Sequence, residues 1–344
     1  MNKVTIEDVT KIKNAGNLQI SPNGKYAVYT VNEPDIKKNG YNYDLWLLNC
    51  KTGTSRQLTF LGKDRSAVWD DDQTLLLATG RTEEDRPEKL QQKTTFYRLP
   101  VKGSEASKAF EVKAVVLQAI KVQKGIYAMT VLKDRNRLDP EAVDPQLCEE
   151  EADYHVIDEL PLWGNNRGFV SGKRTALCLF YEKTGRLKTL TDPYFDTRSV
   201  SVKDGKIAYT GSRWKDVITR YSELRLYDTT TGETVKIVKP GRKKVGPMAI
   251  ADGSIVYAAS DMKTWGSGQL CDLYRYDFET KRSKKVWTNK QGIALGGGIG
   301  PETLMLQGKS VVFKDGSVYM KGLHHAHGEV YCLSSDNKFR KVLE

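Results

Sequence analysis

No long hydrophobic run occurs in this sequence, and that absence removes the helical membrane proteins first. Nothing in its 344 residues approaches the roughly 18 to 20 consecutive apolar side chains that a spanning helix needs. Met1-Asn2-Lys3-Val4-Thr5 leads into a polar segment and not into the apolar core of a secretory signal. A cytoplasmic protein with no membrane partner is the expectation. Cysteine is sparse as well: Cys50, Cys178, Cys271 and Cys332 fall in different repeats, too far apart to pair, and Cys148 lies in an acidic insertion, so reduced thiols are expected. With only four histidines, there is little material for a base held by a carboxylate. The pentapeptide Gly-x-Ser-x-Gly, whose small residues let a strained turn expose a nucleophilic serine, is missing altogether. Gly168-Phe169-Val170-Ser171-Gly172 carries its serine one place late and reads as a turn, and His155 at a strand start reads as a packing or capping residue.

Charge is not lacking, since the formal net charge is +11, but it is not clustered. Lys188, Lys236, Lys284, Lys285 and Lys341 follow turns or fall on outer strands, where lysine protects a sheet edge. The densest run, Arg242-Lys243-Lys244, is too short to form a phosphate-neutralising arm. Nucleic acid is therefore not expected as a partner.

What the sequence has in quantity is tyrosine and glycine, 17 and 29 residues, distributed in a repeat. Leu18 to Thr59 sets the pattern: LQISPNGKYAVYTV, YDLWLLN and SRQLT give four short strands, with Pro22-Asn23-Gly24 at the first turn. An Asn-Gly turn between alternating apolar runs is a strong hairpin signal. Further units follow at SAVWDDDQTLLLATGR, at VVLQAIKV, at SVSVKDGKIAYTG, at MAIADGSIVYAAS and at SVVFKDGSVYMKG. In the last, TLMLQGK is an alternative first strand, and GIALGGGIG fits no strand well. Self-similarity at about 40 to 50 residues with four strands per unit indicates a β-propeller. The fold expected is all-β, with six four-stranded blades over 17–344 and no blade shared between the chain ends. Residues 1–16 form an arm outside the blades, with a short helix capped by Thr5 and Asp8. Residues 135–173 interrupt the third blade. The first half of this insertion is acidic and proline-punctuated, and the second reads as a hairpin turning at Gly164-Asn165-Asn166.

Two phrases of the insertion, Val156-Ile157-Asp158-Glu159-Leu160-Pro161 and Gly168-Phe169-x-Ser171-Gly172-Lys173-Arg174, resemble the propeller of prolyl oligopeptidase family serine peptidases, in the acylaminoacyl-peptidase branch. IEDVTKI, ISPNGKYAVYTV, YDLWLLN and RQLT are similar to the same branch, so the resemblance covers essentially the whole chain. It implies a non-catalytic propeller that gates access of short peptides to an α/β-hydrolase domain of the same protein, a domain outside these 344 residues, in an enzyme that removes acylated N-terminal residues. It also implies a propeller of seven blades, the seventh lying past Glu344. No cofactor is expected.

In an up-and-down blade the second-to-third loops all open on one face. Here they carry Arg81, Arg135, Trp163, Arg213, Trp214 and Trp265, of the residue types that anchor interfaces, with Glu33 and Asp35 nearby. These are the candidate binding or docking residues. His324, His325 and His327 share that face and are the only metal candidates, although adjacent side chains on an extended backbone point apart and no cysteine or carboxylate nearby completes a set. Two alternatives to the peptidase propeller stay open: a stand-alone TolB-like binding propeller, and a metal-dependent propeller enzyme using those histidines.

Overall fold

A computed structural model describes residue 3 and residues 5–81, 92–103, 105–138, 143–151, 153–164, 167–298 and 309–343. Asn165 and Asn166 of the expected insertion turn, and all of the alternative strand TLMLQGK except Lys309, lie outside the described residues. The architecture is all-β, built of antiparallel sheets in chain order.

The first sheet is β1 (Asn14–Ile20), β2 (Tyr26–Asp35), β3 (Gly40–Asn49) and β4 (Ser55–Gln57), each paired to the next. The second is β5 (Ala67–Trp69), β6 (Thr74–Ala78), β7 (Thr94–Pro100) and β8 (Ser107–Val112). The third draws on β9 (Val115–Gln123) and β10 (Ile126–Asp134). After the insertion, with helix α1 (Pro145–Glu151) and the hairpin β11 (Trp163–Gly164) and β12 (Gly168–Phe169), it takes β13 (Lys173–Tyr181) and β14 (Arg186–Thr189).

The acidic half of the insertion contains helix α1. One expectation needs correction here. The N-terminal arm holds a single 3-10 stretch, Ile6–Lys11, with the Thr5 N–H donating to Asp8 Oδ2 at 2.8 Å as the capping pattern implied. However, β1 starts at Asn14, inside the segment expected to stay outside the sheets.

The largest difference concerns the fourth and fifth units, expected as separate sheets. β15 (Phe195–Lys203), β16 (Lys206–Arg213), β17 (Ser222–Asp228), β18 (Thr234–Ala251), β19 (Ser254–Ser260), β20 (Asp272–Asp277) and β21 (Arg282–Trp287) form one seven-stranded sheet. The reason is β18: its first part pairs β17 as an outer strand, and its second part pairs β19 as the inner strand of the next unit. The last sheet has β24 (Ser317–His324), β25 (His327–Leu333) and β26 (Phe339–Leu343). Its inner position is split between β22 (Ala294–Leu295) and β23 (Val311–Lys314), both hydrogen-bonded along β24. The glycine-rich GIALGGGIG thus contributes a short strand that its composition concealed.

The chain divides into two compact units, residues 1–126 with 181–187 and 300–309, and residues 127–180 with 188–299 and 310–344. In the first, Val28, Leu45 and Leu47 pack with Trp69, Leu75, Leu77 and Leu99, so the first two sheets bury facing apolar surfaces. In the second, Leu224, Ile250, Ile255 and Tyr257 form one core, and Ala249, Val256, Leu273, Val318, Met320 and Leu333 another. Fully burying a side chain of this kind stabilises by about 1.5 to 3 kcal/mol. Alternation along each strand makes two such faces possible, since residues two apart share a side.

Candidate docking surface

The second-to-third loop of the third sheet is the 135–173 insertion, and a buried carboxylate holds it in place. Glu159 is 3% exposed and accepts four hydrogen bonds. Arg174 Nη1 and Nη2 donate to its two oxygens at 3.0 and 2.6 Å, the forked geometry that a planar guanidinium favours. Arg135 Nη2 donates at 2.7 Å and the Gly172 N–H at 2.9 Å. Burial alone would push the Glu159 carboxyl up, but the Arg174 hydrogen bonds, the Gly172 N–H and the charges of Arg174 and Arg135 outweigh it and hold it below the usual range. Arg174, itself 1% exposed, lies 3.5 Å above the centre of the Trp214 ring and donates to the Trp214 carbonyl at 3.3 Å. Gly172 sits at φ +72°, and a Cβ there would come within 2.6 Å of the Asn136 side chain, so this corner needs glycine.

The backbone completes the attachment. Leu160 N–H donates to the Asp216 carbonyl at 2.6 Å, and Ile218 N–H donates to the Leu160 carbonyl at 2.9 Å. The insertion is thereby joined, as a parallel bridge at Leu160 and Val217, to the loop between β16 and β17. Asp196 holds the start of β13, accepting from the Thr175 N–H at 2.8 Å. Asp158, held below its ordinary value chiefly by the Ser171 hydroxyl, also caps the turn that contains that serine. Ser171 is thus engaged with a carboxylate, with no imidazole beside it among the described contacts.

On the outer side of this clamp the arm is apolar and exposed. Val156, Leu160, Leu162 and Trp163 of the insertion, with Val217 across the bridge, are each between 48 and 58% exposed. Monomeric proteins rarely leave such side chains contiguous unless something covers them.

The six candidates read from the sequence have different fates. Arg135 and Arg213 converge on one ring, their guanidinium carbons 4.2 and 5.4 Å from the centre of Tyr194. Trp214 joins them, but as a correction: it is 6% exposed, because Arg174 needs it as a stacking platform, and it offers no surface to a partner. Trp163 is exposed and edge-on to Phe169, on which His155 also packs at 4.8 Å. Trp265 is 76% exposed, in the loop between β19 and β20. Register places that loop and the 214–221 loop at the same end of the seven-stranded sheet, since Ser222 pairs with Lys243 and Ser260 with Lys244. Arg81, in the other unit, donates to the fully buried Asp64 at 2.7 Å.

His324 and His327 face each other across the tight turn between β24 and β25, and His325 occupies that turn at φ +51°. No group of three or more His, Cys, Asp or Glu able to hold a metal ion occurs among the described residues. Reasoning from sequence missed Glu159, Arg174, Asp196 and Tyr194. An ionisable residue in the otherwise apolar stretch Glu159-Leu160-Pro161-Leu162-Trp163, and an arginine opening the apolar strand β13, were the available signals.

No protein-family model matches the chain. Among curated proteins it is 24% identical over 192 residues to the uncharacterized peptidase YuxL of Bacillus subtilis (strain 168), a match covering 55% of this chain and 28% of that protein. Among solved structures, Pyrococcus horikoshii acylaminoacyl peptidase aligns with a TM-score of 0.67 at 14% identity over 97% of this chain and 46% of that enzyme. The β-propeller domain of the trilobed protease from Pyrococcus furiosus, described as having an open velcro topology, aligns with a TM-score of 0.59 at 16% identity over 97% of this chain and 85% of that domain. The fold is that of a β-propeller. The chain spans less than half the length of the acylaminoacyl peptidase, and its match to YuxL covers 28% of that protein. No helix of the described residues is long and apolar enough to cross a membrane.

Proposed function

We propose that this chain is the propeller of an acylaminoacyl-peptidase-like serine peptidase of the prolyl oligopeptidase family, covering an α/β-hydrolase domain and admitting short peptides to it. One observation carries the reading: 97% of this chain aligns with only 46% of an acylaminoacyl peptidase, so what aligns is the propeller part of an enzyme whose chemistry lies elsewhere in its chain. The exposed apolar arm on the Glu159 clamp, with Arg213 and Trp265 opening at the same end of their sheet, is the docking surface in this proposal. The propeller has six four-stranded blades, the fused sheet counting as two, and exchanges no strand between its ends; the consecutive strands of the first sheet support this. Five free thiols agree with a cytoplasmic location.

The test begins with the gene beyond codon 344. A reading frame encoding Gly-x-Ser-x-Gly there, and a full-length product that cleaves N-acetylated dipeptides but spares a folded protein, is the expected result. Leu160→Ser with Trp163→Ser should then let longer peptides compete as substrates. A reading frame without that pentapeptide refutes the proposal and leaves a binding propeller.

A further inference from the structure

The last sheet contains a second buried carboxylate, and this one opens onto a cavity of about 390 Å3, a size within the range of small-molecule sites. Antiparallel register puts Gly322 opposite Glu329 and Lys341 opposite Tyr331, so His324, Glu329, Tyr331, Phe339 and Lys341 all project from one face. That face lines the cavity. Glu329 is 5% exposed. It accepts the Tyr331 hydroxyl hydrogen bond and the Lys341 ammonium at 3.1 Å, and His324 Nδ1 lies 3.9 Å from it. Tyr331 and Phe339 stack at 5.1 Å and 8°, and Phe339 also meets Trp287 at 4.2 Å, which gives the cavity an aromatic wall. Gly322 makes room for that wall: a Cβ there would sit 2.7 Å from Tyr331 Cε2.

Each part has a chemical meaning. A carboxylate kept ionised at the base of a cavity, beside a tyrosine ring, suits a protonated amine, and the Lys341 ammonium already occupies that position from within the chain. Lys341 is half exposed, so its flexible stem can swing to the rim and present its charge to an incoming anion. An amine and a carboxylate a few ångströms apart, with an apolar body against Phe339, describe a free α-amino acid. We infer that the cavity on Glu329 binds a free amino acid with a large apolar side chain, its ammonium on Glu329 and its carboxylate on Lys341. The site is separate from the docking arm and does not depend on the peptidase reading.

Calorimetric or NMR titration of the 344-residue chain with L-phenylalanine, N-acetyl-L-phenylalanine and L-phenylalanine methyl ester tests it. Saturable binding of phenylalanine is expected, with at least a tenfold loss for the N-acetyl compound, which has no ammonium. Lys341→Met should weaken phenylalanine several-fold without weakening the methyl ester, which offers no carboxylate and loses only a competitor for Glu329. Gly322→Ala, which crowds the aromatic wall, should abolish both. Absence of saturable binding, equal binding of the N-acetyl compound, or indifference to Lys341→Met would each overturn the inference.

Discussion

Glu159 and Glu329 are equally deep, at 3 and 5% exposure, yet their surroundings differ in kind. Glu159 is saturated by two guanidiniums and a backbone N–H; Glu329 has one half-exposed lysine, a tyrosine hydroxyl and His324 at 3.9 Å, and lines a cavity. A buried charge whose lone pairs are filled by rigid donors acts as a staple. One balanced by a flexible donor keeps a place for something else. Burial alone therefore does not separate structural from binding carboxylates, whereas the mobility of the counter-ion does.

The contrast can be broken most forcefully at the staple. Glu159→Ala leaves Arg174 buried and unpaired, and should destabilise by about 3 to 5 kcal/mol in urea unfolding. A loss under about 1 kcal/mol would mean that Arg174 finds water. Gly172→Ala acts on the same corner through its backbone, where φ is +72°, and should cost roughly 1 to 2 kcal/mol. Near-wild-type stability there would show that the corner adapts.

Acid should sharpen the comparison further. Both carboxyls are held low in the folded chain, Glu159 by the balance described above and Glu329 chiefly by the Tyr331 hydroxyl, against burial and with help from Lys341. A depressed folded-state pKa contributes stability that is complete above the unfolded glutamate value of about 4.3 and disappears as pH falls through the folded one. Stability measured from pH 7 downward should thus hold and then fall in the acid range, and Glu159→Gln should shallow that fall. An unchanged acid limb would remove Glu159 from the account. The smallest effect belongs to Lys341→Met, whose ammonium is 46% exposed: the stability change should be within about 1 kcal/mol even where ligand binding responds.

Most of the fold was legible because turn chemistry and strand alternation are local. Pro22-Asn23-Gly24, Asp204-Gly205 and Asp252-Gly253 each sit where a hairpin turns, with Gly24, Gly205 and Gly253 at positive φ. The continuous β18 was not legible, because Lys239-Pro240-Gly241 reads as a break, and only pairing to strands on either side makes it one element. The same limit explains the site. Trp214 looked like a surface anchor because its loop is polar; its burial follows from Arg174, forty positions earlier, which no local pattern reveals. The exposure of Trp163 and Trp265 depends on no such distant partner.

Strand β18 carries a mechanical consequence. Sheets joined only by a flexible connector can yield one at a time under a pulling force. Here the eighteen residues from Thr234 to Ala251 are hydrogen-bonded to β17 at one end and to β19 at the other. Load applied near Phe195 must pass along that strand into the ladder ending at Trp287 before either half can rupture. In a single-molecule pulling trace, residues 195 to 287 should release as one extension step of about 90 residues, some 300 Å at the ~3.3 Å per residue of an extended chain, and not as two half-length steps.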